Sequence, residues 1–159
     1  MELTRRPRRL RTDGVRSLVR ETELSPSDLI APVFVDATTD ERQPIESMPG
    51  HERVPVDDAV ARVREIRETG VEAIILFGIP ESKDERGTRA WADDGVVQAA
   101  TRRITSETDA YVITDVCLCE YTSHGHCGVL EAAAEDEPTL TVRNDETLDL
   151  LGKIATSHA

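Results

Sequence analysis

Val71-Glu-Ala-Ile-Ile-Leu-Phe77 is the stretch on which the reading of the fold turns. It is a near-continuous apolar run, short enough for a strand and of the kind found in strands covered on both faces. Gly78-Ile-Pro80 closes it. Just before it, from Asp57, Val60, Val63 and Ile66 recur at helical spacing, and Gly70 stands where a helix takes its glycine stop. Just after it come a polar loop, Glu81 to Trp91, and a second helical pattern. That pattern places Val96, Val97, Ala100 and Ile104 on one side, with Asp93 or Asp94 positioned to cap it.

Farther out, Leu29-Ile-Ala-Pro-Val-Phe-Val35 is an earlier strand-length run, with Pro32 marking an irregular start. A long polar connection through Gln43-Pro-Ile-Glu-Ser-Met-Pro-Gly50 follows it, and connections of that length near a strand end are more often functional than filler. Tyr111-Val-Ile-Thr-Asp-Val116 is the third strand. Beyond an acidic, alanine-rich segment (Glu131 to Glu137), Asn144 is placed to cap a third helix. Asp145 and Glu146 sit in its first turn, where the helix dipole favours them, and Leu148, Leu151 and Ile154 form its expected buried face.

Strand and helix alternate three times, which predicts an α/β fold with a parallel sheet, right-handed crossovers and helices outside. Long loops at the C-terminal ends of strands suit a TIM barrel, but a complete barrel takes about 250 residues and eight such units. The expectation is a partial barrel over residues 29–159, cut so that two sheet edges lack partners, preceded by an N-terminal arm over residues 1–28.

The 159 residues carry a net charge of −12, unevenly spread. Residues 1–20 hold seven arginines against Glu2 and Asp13, a balance of +5, so the remainder carries −17. An acidic body argues against nucleic acid as a partner, because phosphate binding needs a basic face. The basic head reads as an anion-binding arm, a subunit-contact arm or a disordered terminus. Lysine is confined to Lys83 and Lys153 against seventeen arginines, and high Asp and Glu with scarce Lys points to a salty cytoplasm. No apolar run approaches the roughly 20 residues that span a bilayer, and no secretory signal is visible, so no membrane partner is expected. Three cysteines, two of them only two residues apart, suit a disulfide poorly; a cytoplasmic location with reduced thiols is expected.

All three cysteines lie in Asp115-Val-Cys-Leu-Cys-Glu-Tyr-Thr-Ser-His-Gly-His-Cys127. Side chains alternate along a strand, so Asp115, Cys117 and Cys119 should project together from the strand's C-terminal end, and the Ser-His-Gly-His run can return Cys127 to them. Thiolates bind Zn²⁺ well, and a catalytic zinc keeps three protein ligands and one open position. The spacing leaves three readings open: an open three-thiolate site, a closed structural site completed by His124 or His126, and unliganded cysteines. With three thiolates the metal's Lewis acidity is muted, so it would hold and polarise a substrate more than generate hydroxide. Asp115 reads equally as a general base or substrate-amine holder and as a supporting carboxylate. His124 and His126 flank Gly125 and read as shapers of a glycine loop. Trp91 reads as a packing anchor, and Lys83-Asp84 as a solvated pair.

The cysteine stretch, through Gly128, resembles the zinc signature of the porphobilinogen synthase (5-aminolevulinate dehydratase) family. Ala31-Pro-Val-Phe-Val35, Pro44-Ile-Glu-Ser-Met-Pro-Gly50, Ile75-Leu-Phe-Gly-Ile-Pro80, Lys83-Asp84 and Asn144-Asp-Glu-Thr-Leu148 resemble that family's segments in the same order. The resemblance implies condensation of two 5-aminolevulinate molecules to porphobilinogen with loss of two waters, on the route to tetrapyrroles. It implies a TIM barrel whose N-terminal arm wraps a neighbouring subunit, usually in an octamer. It makes Cys117, Cys119 and Cys127 the zinc ligands and Asp115 an active-site carboxylate, and it leaves an additional Mg²⁺ site open.

The family also uses two Schiff-base lysines on later barrel strands, each needing a desolvated or cation-flanked setting. Lys153 falls on the third helix and Lys83 in an acidic loop, so neither fits. The chain stops at Ser157-His-Ala159, where a fourth strand would begin. The expectation is therefore the zinc half of the site, in a chain inactive by itself. The alternative is a non-catalytic zinc-binding or assembly fragment that needs a second polypeptide.

Overall fold

The computed structural model describes residues 12–132 and 140–159. Most of the arginine-rich head, and most of the acidic alanine-rich segment after Glu131, lie outside the described residues. The helices are α1 (Asp13–Leu18), α2 (Ala59–Glu68), α3 (Val96–Glu107) and α4 (Asn144–His158). The strands are β1 (Ile30–Asp36), β2 (Gln43–Pro44), β3 (Glu52–Val54), β4 (Ala73–Ile79), β5 (Tyr111–Thr114), β6 (Leu130–Ala132) and β7 (Leu140–Val142).

The central sheet runs β2-β3-β1-β4-β5. β1 is the middle strand and β4 lies beside it, parallel to β1 (Val33 beside Leu76, Phe34 beside Phe77) and to β5 (Ile75 beside Ile113, Leu76 beside Thr114). The alternating βα order of the sequence is thus realised as parallel neighbours. β3 adds a parallel strand on the other side of β1, and β2 pairs antiparallel with β3. These two short strands fall inside the long polar connection, which carries no apolar run to announce them.

The two faces of β4 differ. Ile74 and Leu76 are wholly buried beneath α2 and α3, with Val33 and Val35 of β1 beside them. Each such side chain contributes roughly 1.5–3 kcal/mol by leaving water. Ile75, Phe77 and Ile79 on the opposite face are only half-buried, and there Phe34 and Phe77 stack with ring centroids 5.3 Å apart. The sequence run is apolar on both faces, yet among the described residues only one face is covered. Period-two alternation separates the two sets, and the helices pack on one of them.

α2 follows the expected spacing: Val60, Val63 and Ile66 are buried, and Gly70 takes φ 88° as the left-handed residue that ends the helix. α3 buries Val96, Val97, Ala100 and Ile104 as expected, but neither Asp93 nor Asp94 caps it. Gly95 holds the cap position; the Asp94 carboxylate instead pairs with Arg89 at 2.9 Å, and the Asp93 carbonyl accepts from Arg102.

α4 departs from the sequence reading at both ends of the argument. Arg143, not Asn144, is the cap residue, and Asn144 is the first helical residue. The buried face is Thr147, Leu150 and Ile154, while Leu148 is 57% exposed. Both faces fit helical spacing. The choice goes to the face bearing Thr147 because its hydroxyl accepts the Val129 N–H at 3.1 Å, which satisfies a buried donor. Val129 leads into the β6–β7 hairpin, an antiparallel pair with Leu130 beside Val142. No membrane-length apolar helix occurs among the described residues.

Candidate metal centre

The cysteine loop leaves the C-terminal end of β5, the edge of the parallel sheet. β5 ends at Thr114, five residues short of Cys119, so strand alternation does not extend through the cysteines. Asp115 keeps one ladder bond, its N–H donating to the Leu76 carbonyl at 3.3 Å. After it the chain folds into a tight turn in which the N–H groups of Tyr121 and Thr122 both reach the Leu118 carbonyl at 2.9 Å. Leu118 and Tyr121 are buried and pin this turn to the core. Cys117 and Cys119 therefore meet through the turn rather than through strand pleating.

The return of Cys127 is equally well braced. The Thr122 hydroxyl, on a side chain that is fully buried, donates to the His126 carbonyl at 2.8 Å. Gly125 takes φ 74°, a left-handed conformation that a glycine adopts without strain. His124 spans the loop: its Nδ1 accepts the His126 N–H, and its Nε2 contacts the Glu85 carbonyl, both at 3.1 Å. That pattern requires the neutral ring with hydrogen on Nε2 and leaves neither nitrogen for a metal.

The result is a compact donor cluster. The Sγ atoms of Cys117 and Cys119 are 3.3 Å apart, and one ligand atom from each of Cys117, Cys119 and Cys127 lies within 4.8 Å of the others. A second group of the same tightness joins Asp115, Cys117 and Glu120. The Cys119 thiol donates to Glu120 Oε2 at 3.2 Å. The three cysteines singled out in the sequence thus come together, and Asp115 meets Cys117 in an adjoining group completed by Glu120, which sequence reasoning passed over.

The electrostatics are one-sided. Burial, reinforced by the charge of Glu120, raises the Asp115 carboxyl above its ordinary value. Burial, then Cys117 and Glu120, push the Cys119 thiol far up; hydrogen bonding to Cys117 is the main cause raising Cys127. Burial and the Glu120 charge raise Tyr121 as well. The arginines of the neighbouring loops are engaged elsewhere, Arg86 with Glu146 and Arg89 with Glu81 and Asp94. Acidic donors crowded together with no basic partner among the described residues are the electrostatic counterpart of a cation site.

Asp84 is the second residue whose role the sequence did not disclose. Its main chain pairs with the cysteine loop, accepting the Ser123 N–H at 2.9 Å and donating to the Tyr121 carbonyl at 3.3 Å. Its carboxylate accepts the N–H of Arg86 at 2.8 Å, the N–H of Thr88, and the Thr88 hydroxyl. Instead of a solvated pair with Lys83, it is a clamp between the loops that follow β4 and β5. An acidic residue four positions before a threonine was the available signal, and that pattern is common in ordinary turns.

A mainly parallel sheet with a thiol-rich cluster beyond a strand's C-terminal end defines an α/β protein with a group that could hold a metal. The family model for delta-aminolevulinic acid dehydratase matches residues 4–159. A delta-aminolevulinic acid dehydratase of Archaeoglobus fulgidus is 49% identical over 155 residues, covering 97% of this chain and 46% of the relative. One from Synechocystis is 49% identical over 158 residues, covering 98% of this chain and 47% of the relative. The crystal structure of the Toxoplasma gondii enzyme, porphobilinogen synthase in complex with the reaction product porphobilinogen, aligns with TM-score 0.85 at 34% identity, covering 98% of this chain and 44% of that one. The chain belongs to the delta-aminolevulinic acid dehydratase family, and it spans about half the length of these relatives.

Proposed function

We propose that this chain carries the zinc half of a porphobilinogen synthase active site, in a lyase that condenses two 5-aminolevulinate molecules. The observation that carries the reading is the convergence of Cys117, Cys119 and Cys127 beyond β5, with Asp115 beside them. In a tetrahedral zinc site with Zn–S bonds of about 2.3 Å, sulfur atoms lie about 3.8 Å apart, so the observed cluster fits zinc with small adjustments. His124 is occupied by the loop itself, which favours a three-thiolate site over one closed by that histidine.

When bound, the zinc would hold and polarise a substrate oxygen or nitrogen. Asp115 is the carboxylate placed to take or hold a proton at the substrate amine, and its partial burial suits that task. The Schiff-base lysines belong, on this reading, to the part of the barrel that this chain does not include. Lys153 agrees with that, because its ammonium, carried on α4, sits over the Trp91 ring at 5.8 Å from the centroid. The strand order β1-β4-β5, parallel throughout, supports the first three units of a TIM barrel spanning residues 29–159. Exposed Leu18, Val19 and Leu24 support residues 1–28 as an arm that contacts another subunit of a cytoplasmic homo-oligomer, an octamer in the family's usual form.

The half-open apolar face bearing Phe34 and Phe77 favours one further reading, an assembly fragment that works only with a second polypeptide seated on that face. Metal analysis tests the zinc reading. One zinc per chain, lost in Cys119→Ala, is expected, and full retention in that variant overturns it. Porphobilinogen formation by the purified chain without a second polypeptide would overturn the half-site reading.

A further inference from the structure

The three thiols are not held alike. Cys117 and Cys119 are half-buried beside Leu118, whose turn fixes them to the core, whereas Cys127 is exposed. The place of Cys127 therefore depends on the chain to either side of it. On the N-terminal side, the Thr122 hydroxyl holds the His126 carbonyl. On the C-terminal side, Gly128 and Val129 lie against the first turn of α4. A Cβ at Gly128 would fall 2.7 Å from Thr147 Oγ1 and 2.5 Å from Val142 Cγ1, so the main chain next to Cys127 rests directly on those side chains. Val129 is tied at both of its main-chain groups. Its N–H donates to Thr147 Oγ1 at 3.1 Å, and its carbonyl accepts the Arg143 N–H at 2.8 Å. Thr147 is 7% exposed and Val129 9%, so no water stands ready to replace the hydroxyl. The same turn of α4 also reaches the loop after β4, because Glu146 pairs with Arg86 as well as with Arg143.

We propose that Thr147 is a positioning residue of the metal centre: its hydroxyl fixes the Gly128–Val129 limb and thereby the reach of Cys127 toward Cys117 and Cys119. This rests on the zinc reading above and names a residue outside the cysteine loop on which that site depends. Without the Thr147 acceptor, the Val129 N–H is buried and unpaired, and the limb gains by moving toward water. Cys127 moves with it, while Cys117 and Cys119 stay on the Leu118 turn. The coupling is reciprocal: a metal that holds Cys127 in place also holds the Val129–Thr147 bond closed. A hydroxyl that only docked α4 would stabilise the metal-free and metal-loaded chain equally.

The test uses the 159-residue chain and Co²⁺, whose thiolate charge-transfer bands report binding, in competition with a chelator. Thr147→Val keeps the shape and removes the acceptor, and Thr147→Ser keeps the acceptor. Ile154→Val trims a buried side chain of the same helix. Thr147→Val is expected to bind Co²⁺ about tenfold more weakly, the lower end of what outer-shell substitutions cost a metal site. Thr147→Ser should restore the affinity, and Ile154→Val should lower the melting temperature with the affinity unchanged. In wild type, metal should slow hydrogen exchange at the Val129 amide by a similar factor of about ten. Equal affinity in wild type and folded Thr147→Val overturns the proposal, as does an equal loss in Ile154→Val. Should Thr147→Val fail to fold, wild-type exchange decides, and a Val129 rate indifferent to metal overturns it. If wild type shows no thiolate band that Cys119→Ala abolishes, the zinc reading itself has failed and the role of Thr147 falls with it. With the bands present and the affinities equal, Thr147 alone is refuted.

Discussion

The main-chain carbonyl of Asp84 accepts the N–H of Ser123 at 2.9 Å, tying the loop after β4 to the cysteine loop after β5. Together with the Asp84 N–H to Tyr121 carbonyl bond, this makes a short parallel bridge beyond the ends of the strands. The side chain of Asp84 holds its own loop in the shape that makes the bridge possible. Gly87, in the same loop, takes φ 69°, and a Cβ there would lie 3.0 Å from Leu118.

Asp84→Ala should therefore loosen the metal centre without touching a ligand. Removing an acceptor of several turn hydrogen bonds is expected to cost about 1–2 kcal/mol of stability, the low end reflecting partial exposure. Zinc affinity should fall as well, because Ser123 and Tyr121 lose a fixed neighbour. Chemical denaturation and chelator competition measure the two effects; unchanged chelator competition would mean that the main-chain bridge stands without the carboxylate.

Acid should destabilise the fold through identifiable carboxylates. Partial burial works to raise Asp84, but hydrogen bonds from Thr88, Arg86 and Gly87 outweigh it and hold the group below its usual range. Glu65 is lowered chiefly by its bond from Arg42, against some burial, with help from Arg62. A group whose folded pKa is depressed stabilises the fold above its unfolded pKa of about 4, and loses that contribution as pH falls through the folded value. Stability should fall below about pH 4, and Asp84→Asn should flatten part of that limb in denaturation curves taken from pH 6 downward.

Gly78→Ala should be disruptive even though Gly78 lies inside a strand. A Cβ there would come within 2.5 Å of the Tyr121 hydroxyl, 2.6 Å of Val97 Cγ2 and 2.8 Å of Val96 Cγ1. Overpacking of this kind costs about 1–3 kcal/mol. Because Tyr121 belongs to the cysteine-loop turn, thermal melting and zinc content should both drop, whereas Gly152→Ala, with open space around its added carbon, should leave both in place.

The face of α4 can be read by alanine substitution. Ile154 and Leu150 are buried, so each should cost about 2–5 kcal/mol when truncated. Leu148→Ala, at a side chain 57% exposed, should stay within about 0.5 kcal/mol. Equal losses at Leu148 and Leu150 would point to cover on the exposed face by another chain.

The strands were legible as short apolar runs bounded by polar loops, but the covered face was not: β4 is apolar on both faces, and only the packing of α2 and α3 over Ile74 and Leu76 selects one. α2 was legible down to its stop, since only a residue at ease with positive φ ends the helix as Gly70 does. The hairpin of β6 and β7 was not: β6 begins at Leu130 and β7 at Leu140, each strand is three residues long, and three residues carry no measurable period.

At the cluster, residue types and spacing alone were enough to single out Cys117, Cys119, Cys127 and Asp115, because soft ligands so close in sequence have few other uses. What the sequence left undecided was how they meet and what else joins them. Strand alternation was the wrong device, since β5 ends at Thr114 and a turn on Leu118 does the gathering. Glu120 and Asp84 emerged only in three dimensions. A carboxylate beside a thiol, or a main-chain bond between residues 39 positions apart such as Asp84 and Ser123, depends on where two loops pass each other. Local sequence sets which groups a loop carries; the packing of the strands beneath sets which loops are neighbours.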